Sequence, residues 1–412
     1  MTTPTLSLLI SAVSHPEATA QTMASLALIP ETITHEVFIV ASSDETAPIA
    51  SFIQEAEQLL PTTPELLSLN TPLSHARAFN LAAQSATGDH LLFIEAGTQL
   101  TENTILPLLS KLQSSSTTGI AAPLHICPES GRVQGCGTTF TPSLRAQPLF
   151  ASFPATHAAV NKPRTLQAVP ANGMLMRAAD FNDAGQFDTS YLTGMEILDL
   201  CATVRDKDLT IDFIPEATLL TPDIPKQISE DDFSVDTLRL NSRHKGSFGP
   251  DKHTLAQEEG YLFAISPWLE SYMTLTQERE QELTAQMMQS PDPSTCFALI
   301  QEEPLWQTGY AQLAAYLEST RRFDEACGIR LLQTFFFPML PLYRKLAATA
   351  EAANNADLLQ MANDKLEHIN SQLEDISGLT KKAAGLANWA RKAGEKDLQA
   401  LYEGWLKDLG LL

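Results

Sequence analysis

Two carboxylates one helical turn apart are the residues of this chain best suited to proton transfer. Glu196 and Asp199 lie three positions apart in the segment Glu196-Ile-Leu-Asp-Leu-Cys201, so a helix places both on one face. Two acids on one face raise each other's proton affinity, which brings a carboxylate closer to useful basicity at neutral pH. The pair is therefore a candidate for general-base chemistry. The alternative is that Asp199 caps or pairs structurally while Glu196 is merely exposed.

The elements that must position this pair precede it in the chain. Gly173 opens the apolar run Met174-Leu-Met176, which is typical of a buried strand. Asp180 is a candidate cap for a one-turn helix, and Gly185 tolerates the positive φ that ends such a turn. A strand, a glycine break and a helix bearing two acids are expected to form the floor of an acceptor pocket.

The first 125 residues alternate between strand and helix patterns at short spacing. We predict strands over 5–13, 37–40, 66–69 and 90–95, and helices over 18–28, 46–60, 74–85 and 101–112. This alternation predicts an α/β fold with a parallel sheet covered by helices on both faces. Ligands bind such sheets at the carboxyl ends of the strands.

Residues 7–98 and 173–201 resemble the first and second halves of family 2 glycosyltransferases, which have the nucleotide-sugar-binding GT-A fold. The family patterns G-a-x-x-x-x-R, G-x-F-D-x-x-Y and E-D-x-D-L-c are matched by Gly173, Arg177, Gly185, Phe187, Asp188, Tyr191, Glu196, Asp199, Leu200 and Cys201, with Arg177 one place early. The segments 7–17, 40–46, 74–80 and 86–98 resemble the family's first half. The resemblance implies a Rossmann-like, mostly parallel sheet and sugar transfer with inversion.

The resemblance also implies a set of site residues. It assigns nucleotide-sugar binding to Ser11, Val13, Ser42, Asp44, Asn80, Glu95, Gly97 and Gly173, and catalysis to Glu196 and Asp199. It further implies Mn²⁺ or Mg²⁺ with the nucleotide-sugar, because in the family a divalent cation with hard oxygen ligands bridges a protein carboxylate and the diphosphate.

Four family positions are changed in this chain. Ile197 stands where the family has the aspartate taken as catalytic base, Gly97 replaces the last aspartate of the D-x-D metal motif, and Thr221 replaces a histidine. The uracil-binding aspartate has no clear counterpart in 40–46. We therefore expect that no metal is held in the family manner. The alternative for Glu95 is that it merely ends a strand.

Cationic residues are concentrated in one stretch of this acidic chain. Six of them fall within residues 239–253, namely Arg239, Arg243, His244, Lys245, Lys252 and His253. One interpretation is a mobile loop in which Arg243, His244 and Lys245 bind a diphosphate in place of a metal. The other is a surface loop that pairs with nearby acids.

The C-terminal third changes character to long alanine- and leucine-rich helices. Tyr310, Leu313, Ala314 and Asp324 recur 33 residues later, and the pattern from Leu346 to Leu358 recurs 40 residues later. These repeats resemble tetratricopeptide-type helical hairpins, whose concave surfaces bind proteins. An ordinary helical bundle is the alternative. We predict two domains, 1–255 and 256–412.

Composition narrows the remaining classes. The net charge of −22 disfavours binding to nucleic acid or anionic membranes, and no apolar run is long enough for a membrane span. The five scattered cysteines are expected to be reduced, in a cytoplasmic protein. Two hypotheses follow: a glycosyltransferase acting on a protein or glycan, or a catalytically inactive GT-A-like protein that serves binding or assembly.

Overall fold

The computed structural model describes residues 5–13, 16–56, 62–69, 74–222 and 230–409. The chain forms two compact units. Unit 1 comprises Met1–Phe140 and Ala146–Gly249, and unit 2 comprises Thr141–Arg145 and Pro250–Leu412. That residues 1–255 and 256–412 are separate domains remains a prediction.

Unit 1 contains twelve strands and seven α-helices within its described residues. The strands are β1 Leu6–Ser11, β2 His35–Ser42, β3 Glu65–Leu69, β4 His90–Glu95, β5 Gln99–Leu100, β6 Thr118–Ile126, β7 Val133–Gly135, β8 Thr138–Phe140, β9 Ala146–Pro148, β10 Arg164–Leu166, β11 Leu175–Arg177 and β12 Thr210–Leu220. The helices are α1 Thr19–Ser25, α2 Thr46–Ala56, α3 His75–Ser85, α4 Ile105–Ser114, α5 Ala178–Asp183, α6 Glu196–Arg205 and α7 Glu230–Arg243.

Ten of these strands form one mixed sheet in the order β10-β12-β6-β11-β4-β1-β2-β3, with β5 paired to β12 and β7 to β6. Strands β1 to β4 are mutually parallel, β12 is parallel to β6, and β11 runs antiparallel between β4 and β6. The predicted class, an α/β fold followed by helices, is confirmed, with a mixed sheet in which β1 to β4 are parallel.

The strand sequences explain why the sheet lies inside unit 1. All six residues of β1, Leu-Ser-Leu-Leu-Ile-Ser, are buried, as a parallel strand covered on both faces requires. Residues Leu8, Ile10, Ile39, Leu92 and Ile94 share one apolar core with helices α1, α2 and α4.

The path of the chain creates a crevice at one edge of the sheet. Strands β2 and β3 extend from one side of β1, whereas β4 returns to its other side. The order therefore reverses between β1 and β4, and ligands of open α/β sheets bind outside the carboxyl ends of strands at such a point. We call the carboxyl ends of β1 and β4, with the start of α3, the β1/β4 crevice.

Unit 2 begins with a short helix and a strand pair that the sequence did not indicate, and then becomes entirely helical over its described residues. Its elements are α8 Lys252–Glu258, β13 Leu262–Ile265, β14 Ser271–Thr274, α9 Gln277–Gln289, α10 Pro293–Glu302, α11 Gln307–Ser319, α12 Phe323–Phe336, α13 Leu340–Ala352, α14 Ala356–Glu374, α15 Ile376–Ala393 and α16 Lys396–Asp408. Strands β13 and β14 pair antiparallel.

The repeated positions of unit 2 lie at helix contacts. Tyr310 of α11 and Tyr343 of α13 are both buried, as are Ala350 of α13 and Ala390 of α15. Helix α13 packs on α14, and α15 packs on α16. Small buried residues allow such close pairing, while the tetratricopeptide likeness stays a prediction. Within the described residues, none of the helices combines the length and apolar composition required to cross a bilayer.

The segment predicted as a basic loop is largely helical. Arg239 and Arg243 belong to α7, and Lys252 and His253 belong to α8. Only residues 244–251 connect the two helices. The length of α7 had escaped the sequence analysis because its charges give no clear apolar periodicity.

Candidate functional site

The β1/β4 crevice holds facing polar side chains. Ser11 and Glu95 are paired residues at the ends of β1 and β4. His75, the first residue of α3, lies between them: its Nδ1 is 3.0 Å from Ser11 Oγ, and its Nε2 is 3.9 Å from Glu95 Oε2. Ser11 is buried, whereas the side chains of His75 and Glu95 are each 22% exposed. An imidazole and a carboxylate therefore reach solvent at the mouth of the crevice.

Amide and hydroxyl side chains hold the loop that follows β4. The buried Asn172 accepts the backbone N–H of Glu95 at 3.0 Å and donates its amide to Thr98 Oγ1 at 2.8 Å. The N–H of Gly97 donates to Thr22 Oγ1 at 2.9 Å. These bonds fix the backbone on both sides of Glu95, so the carboxylate is placed before any ligand arrives.

Two glycines at this edge have backbones that other residues rarely adopt. Gly173 has a φ of +80°, and a Cβ there would lie 2.4 Å from Leu219 Cδ1 and 2.8 Å from Pro123 Cγ. Gly97 has a φ of +96°, which strains any L side chain. The aspartate expected at position 97 from the resemblance would thus be disfavoured by the local backbone as well as absent.

His125 lies at the same edge, at the end of β6. Its Nδ1 is 2.9 Å from Thr221 Oγ1. Burial lowers the pKa of His125 to about 4, although the charge of Glu95 and the backbone of Asn172 act in the opposite direction. The imidazole is therefore neutral at neutral pH, and the hydroxyl of Thr221 is engaged by it.

The residues at this edge do not fit the divalent cation that the resemblance implies. Gly97 supplies no ligand, Thr221 is paired with His125, and Glu95 is left as the single carboxylate of its motif. Across the described ranges, no three His, Cys, Asp or Glu side chains lie together in a way that would hold a metal ion. Hard cations need several oxygen ligands.

The remaining donor-site predictions fall at two places. Val13 follows β1, Ser42 ends β2, and Asp44 lies in the 3₁₀ turn Ser43–Glu45 directly after β2. These three share the carboxyl edge with Ser11 and Glu95. Asn80 of α3 instead contacts the backbone of Phe187, donating to its carbonyl at 2.8 Å and accepting its N–H at 3.1 Å. The Asn80 amide thus links α3 to the segment that precedes α6.

The acidic pair lies in the first turn of α6, as its spacing predicted. Both Glu196 and Asp199 are buried. Asp199 Oδ1 accepts the Tyr191 hydroxyl at 3.1 Å and lies 2.9 Å from His244 Nε2 and 3.3 Å from the Arg243 guanidinium. Burial first, and then the charge of Asp199, raise the pKa of Tyr191. Asp199 Oδ1 is therefore already engaged by a hydroxyl, an imidazole and a guanidinium of the protein itself.

Arg243 and His244 both contact Asp199, whereas Lys245 lies apart from them in a groove. Arg243 ends α7 and lies 2.8 Å from Asp188 Oδ2. Burial acts to raise the pKa of Asp188, but hydrogen bonds from Ser190 and the charge of Arg243 hold it below its ordinary value. His244 is buried against Asp199.

Lys245 lines a groove with Arg205 and with Thr210, the first residue of β12. This groove lies at the amino end of β12. An eleven-residue strand spans about 35 Å, so Lys245 is at the edge of the sheet opposite to the β1/β4 crevice.

Buried bonds hold α7 onto the segment before α6. Asp236 Oδ2 accepts the N–H groups of Leu192 and Thr193 at 2.7 and 2.8 Å. The guanidinium of Arg239 lies 5.4 Å from the centre of the Tyr191 ring. The first cationic residues of the predicted loop are thus part of a packed helix.

Sequence reasoning missed His75, Asn172 and His125 as site residues. His75 is the second residue of the predicted helix 74–85, and Asn172 precedes the predicted strand at Met174–Met176, whereas no element was predicted next to His125. Their partners lie far away in the chain: 64 residues separate His75 from Ser11, 77 separate Asn172 from Glu95, and 96 separate His125 from Thr221.

Comparisons with known proteins show a structural similarity. No protein-family model matches the chain, and no curated protein matches it. Among solved structures, the chain is similar to the crystal structure of GalNAc-T7 with UDP, GalNAc and Mn²⁺, at 15% sequence identity and a TM-score of 0.44. The match covers 54% of this chain and 44% of that one.

Proposed function

We propose that the chain binds a nucleoside-diphosphate sugar in the β1/β4 crevice and transfers the sugar, with inversion, to a protein or glycan acceptor. The observation that carries this proposal is the cluster of Ser11, His75 and Glu95 at the point where strand order reverses. Open α/β sheets bind nucleotides at such a point, where polar side chains can contact the ligand. The resemblance to family 2 glycosyltransferases supplies the reaction class.

The donor would lie along the carboxyl edge of the sheet. Ser11, Val13, Ser42 and Asp44 line the side of β1 and β2, and Glu95 lines the side of β4. Glycines at positions 97 and 173 let the backbone at this edge adopt a positive φ. No step of this mechanism depends on a divalent cation, because the residues at the edge do not fit one.

Glu196 is the better general base of the acidic pair. Asp199 shares its Oδ1 with three internal partners, so this oxygen already serves to hold Tyr191, Arg243 and His244 in place. Glu196 begins α6 one turn away. In the proposed step, its carboxylate takes the proton of the acceptor hydroxyl while that oxygen attacks the anomeric carbon. The bond to the diphosphate breaks, and the nucleoside diphosphate leaves with the bonding electrons.

The first experiment is donor turnover by the full chain. UDP-, GDP-, ADP-, CDP- and dTDP-sugars are offered with mixed peptide and glycan acceptors, with and without Mn²⁺, and the released nucleoside diphosphate is measured. Glu196→Gln keeps the shape of the side chain and should slow transfer about 10²- to 10⁴-fold without changing thermal stability. Glu216→Gln, at an exposed position of β12, is the matched control. Transfer at the parent rate by Glu196→Gln would remove this residue from the mechanism.

A second function is favoured by the state of the acidic motif. Asp199 is tied to Arg243 and His244, Ile197 replaces the family's base, and Gly97 leaves the metal motif incomplete. We propose as the alternative a catalytically inactive nucleotide-sugar-binding protein, in the cytoplasm, that recruits a protein partner through the helices of unit 2. Binding of a nucleoside diphosphate without turnover of any donor would select this alternative. Absence of any nucleotide binding would overturn both.

A further inference from the structure

The proposed donor poses a charge problem for the β1/β4 crevice. A nucleoside diphosphate carries several negative charges, and Glu95 already places a carboxylate at the mouth of the crevice. Diphosphate sites offset such charge with a metal ion or with N–H donors aimed at the phosphate oxygens. The inference below rests on the proposed function, since it concerns how the same donor would be held.

The residues around Glu95 exclude the arrangement with two acidic ligands. Gly97 supplies no ligand, and its φ of +96°, with Ala18 Cβ 3.3 Å and Pro222 Cγ 3.4 Å from a Cβ position, disfavours an aspartate there. Thr221 is paired with His125. The carboxylate of Glu95 is instead approached by an imidazole.

His75 is held so that one edge of its ring faces the crevice. Ser11 Oγ lies 3.0 Å from Nδ1, and the ring lies 6.1 Å from that of Phe79, one turn further along α3. When the Ser11 hydroxyl donates to Nδ1, the ring hydrogen resides on Nε2. Nε2 is the atom on the side of Glu95, at 3.9 Å, which favours this tautomer because a carboxylate attracts the N–H.

We propose that His75 binds the diphosphate of the donor directly through Nε2–H and takes the place of the divalent cation. Ser11 is its positioning residue, because it fixes the ring orientation and the tautomer. The donor then binds without added metal, and the imidazole supplies the hydrogen bond to the phosphate oxygen. The Nε2–H is donated to the phosphate oxygen, since Glu95 Oε2, 3.9 Å from Nε2, lies beyond hydrogen-bond distance.

Isothermal titration of the full chain tests this inference. The probes are UDP, GDP, ADP, CDP and dTDP, each titrated once in EDTA and once in Mn²⁺. The variants are His75→Ala, His75→Gln and the control His35→Ala, which changes a histidine at the amino end of β2 on the opposite edge of the sheet. Thermal unfolding of each variant confirms that it is folded.

We expect at least one of these nucleoside diphosphates to bind equally well in EDTA and in Mn²⁺. His75→Ala should weaken that binding about 10- to 100-fold, the effect of losing a hydrogen bond to a charged group. His75→Gln, which keeps an N–H donor, should recover most of the affinity, and His35→Ala should bind like the parent.

Two results would overturn the inference alone: binding that requires Mn²⁺, or binding by His75→Ala as tight as that of the folded parent. If none of the five diphosphates binds in either condition, the proposed function fails and the inference fails with it.

Discussion

The β1/β4 crevice and the α6–α7 cluster use the same residue types in opposite ways. In the crevice, His75 and Glu95 lie 3.9 Å apart with a fifth of each side chain exposed. In the α6–α7 cluster, defined by Asp188, Asp199, Arg243 and His244, the side chains of Asp199 and His244 are only 3% and 6% exposed. One histidine–acid pair faces solvent, whereas the other is enclosed.

The difference lies in how deeply each carboxylate is enclosed by the protein. Asp199 has three internal partners, including a phenol and a guanidinium, so its charge is balanced by the fold itself. Removing one member of a buried pair of this kind strongly lowers the stability of the folded protein. The side chains of the crevice instead reach solvent, where a ligand can contact them. Within the enclosed cluster, the sequence predicted Asp199 as catalytic and Arg243 and His244 as phosphate ligands, whereas it did not predict His75 as a site residue.

The largest effect is expected from breaking the enclosed cluster. Asp199→Ala leaves the buried Tyr191 hydroxyl and His244 Nε2 without the carboxylate oxygen that both contact, so we expect the free energy of unfolding to fall by about 2–5 kcal/mol, the cost of two unpaired buried groups. Urea denaturation measures it. Glu196→Gln, one turn away on α6, is the control and should stay near the parent value. An Asp199→Ala protein as stable as the parent would remove the structural role of the cluster.

The next effect concerns His125, which lies buried at the same edge as the crevice. Because folding lowers its pKa from 6.5 to about 4, the unfolded chain takes up a proton first as the pH falls. The free energy of unfolding should therefore decrease between about pH 6.5 and pH 4, by about 2–3 kcal/mol from this residue.

Denaturation at pH 7 and pH 4.5 separates this contribution from that of the carboxylates. His125→Gln cannot titrate, so its loss of stability between the two values should be smaller than that of the parent by about the same 2–3 kcal/mol. Equal losses in the two proteins would contradict a neutral buried imidazole.

A smaller effect distinguishes close packing from backbone strain at the crevice. Gly173→Ala introduces a Cβ 2.4 Å from Leu219 Cδ1 at a φ of +80°, whereas Gly185→Ala has a φ of +86° with no atom within 4 Å. Both variants carry the strain of positive φ, so Gly173→Ala should be the less stable by about 1–3 kcal/mol, the cost of overpacking. Thermal unfolding of the two proteins measures the difference, and equal values would show that the edge repacks freely.

The smallest effect is expected at the opposite edge of the sheet. Lys245→Ala changes a groove at the amino end of β12, so stability should change by less than about 0.5 kcal/mol and nucleoside diphosphate binding should match the parent. Titration beside His75→Ala provides the comparison. A loss as large as that of His75→Ala would restore the basic loop as the phosphate-binding element.

Much of the fold was predictable because local patterns reflect burial. Apolar runs marked β1 and β4, and turn residues marked the ends of several helices. Where charge obscured periodicity, as in α7, the pattern indicated a loop. The antiparallel pair β13 and β14 was missed because the region after residue 255 was interpreted as helical throughout.

By itself, the sequence determined that Glu95 ends a strand and that Ser42 closely follows one, and therefore that both share one edge of a parallel sheet. It also determined that glycine occupies positions 97 and 173, where the backbone requires it. Only the tertiary structure decided that His75 lies between Ser11 and Glu95, and that Asp199 is enclosed by Arg243 and His244. Strand order and helix docking set these contacts. They depend on the packing of segments tens of residues apart, which local spacing does not encode.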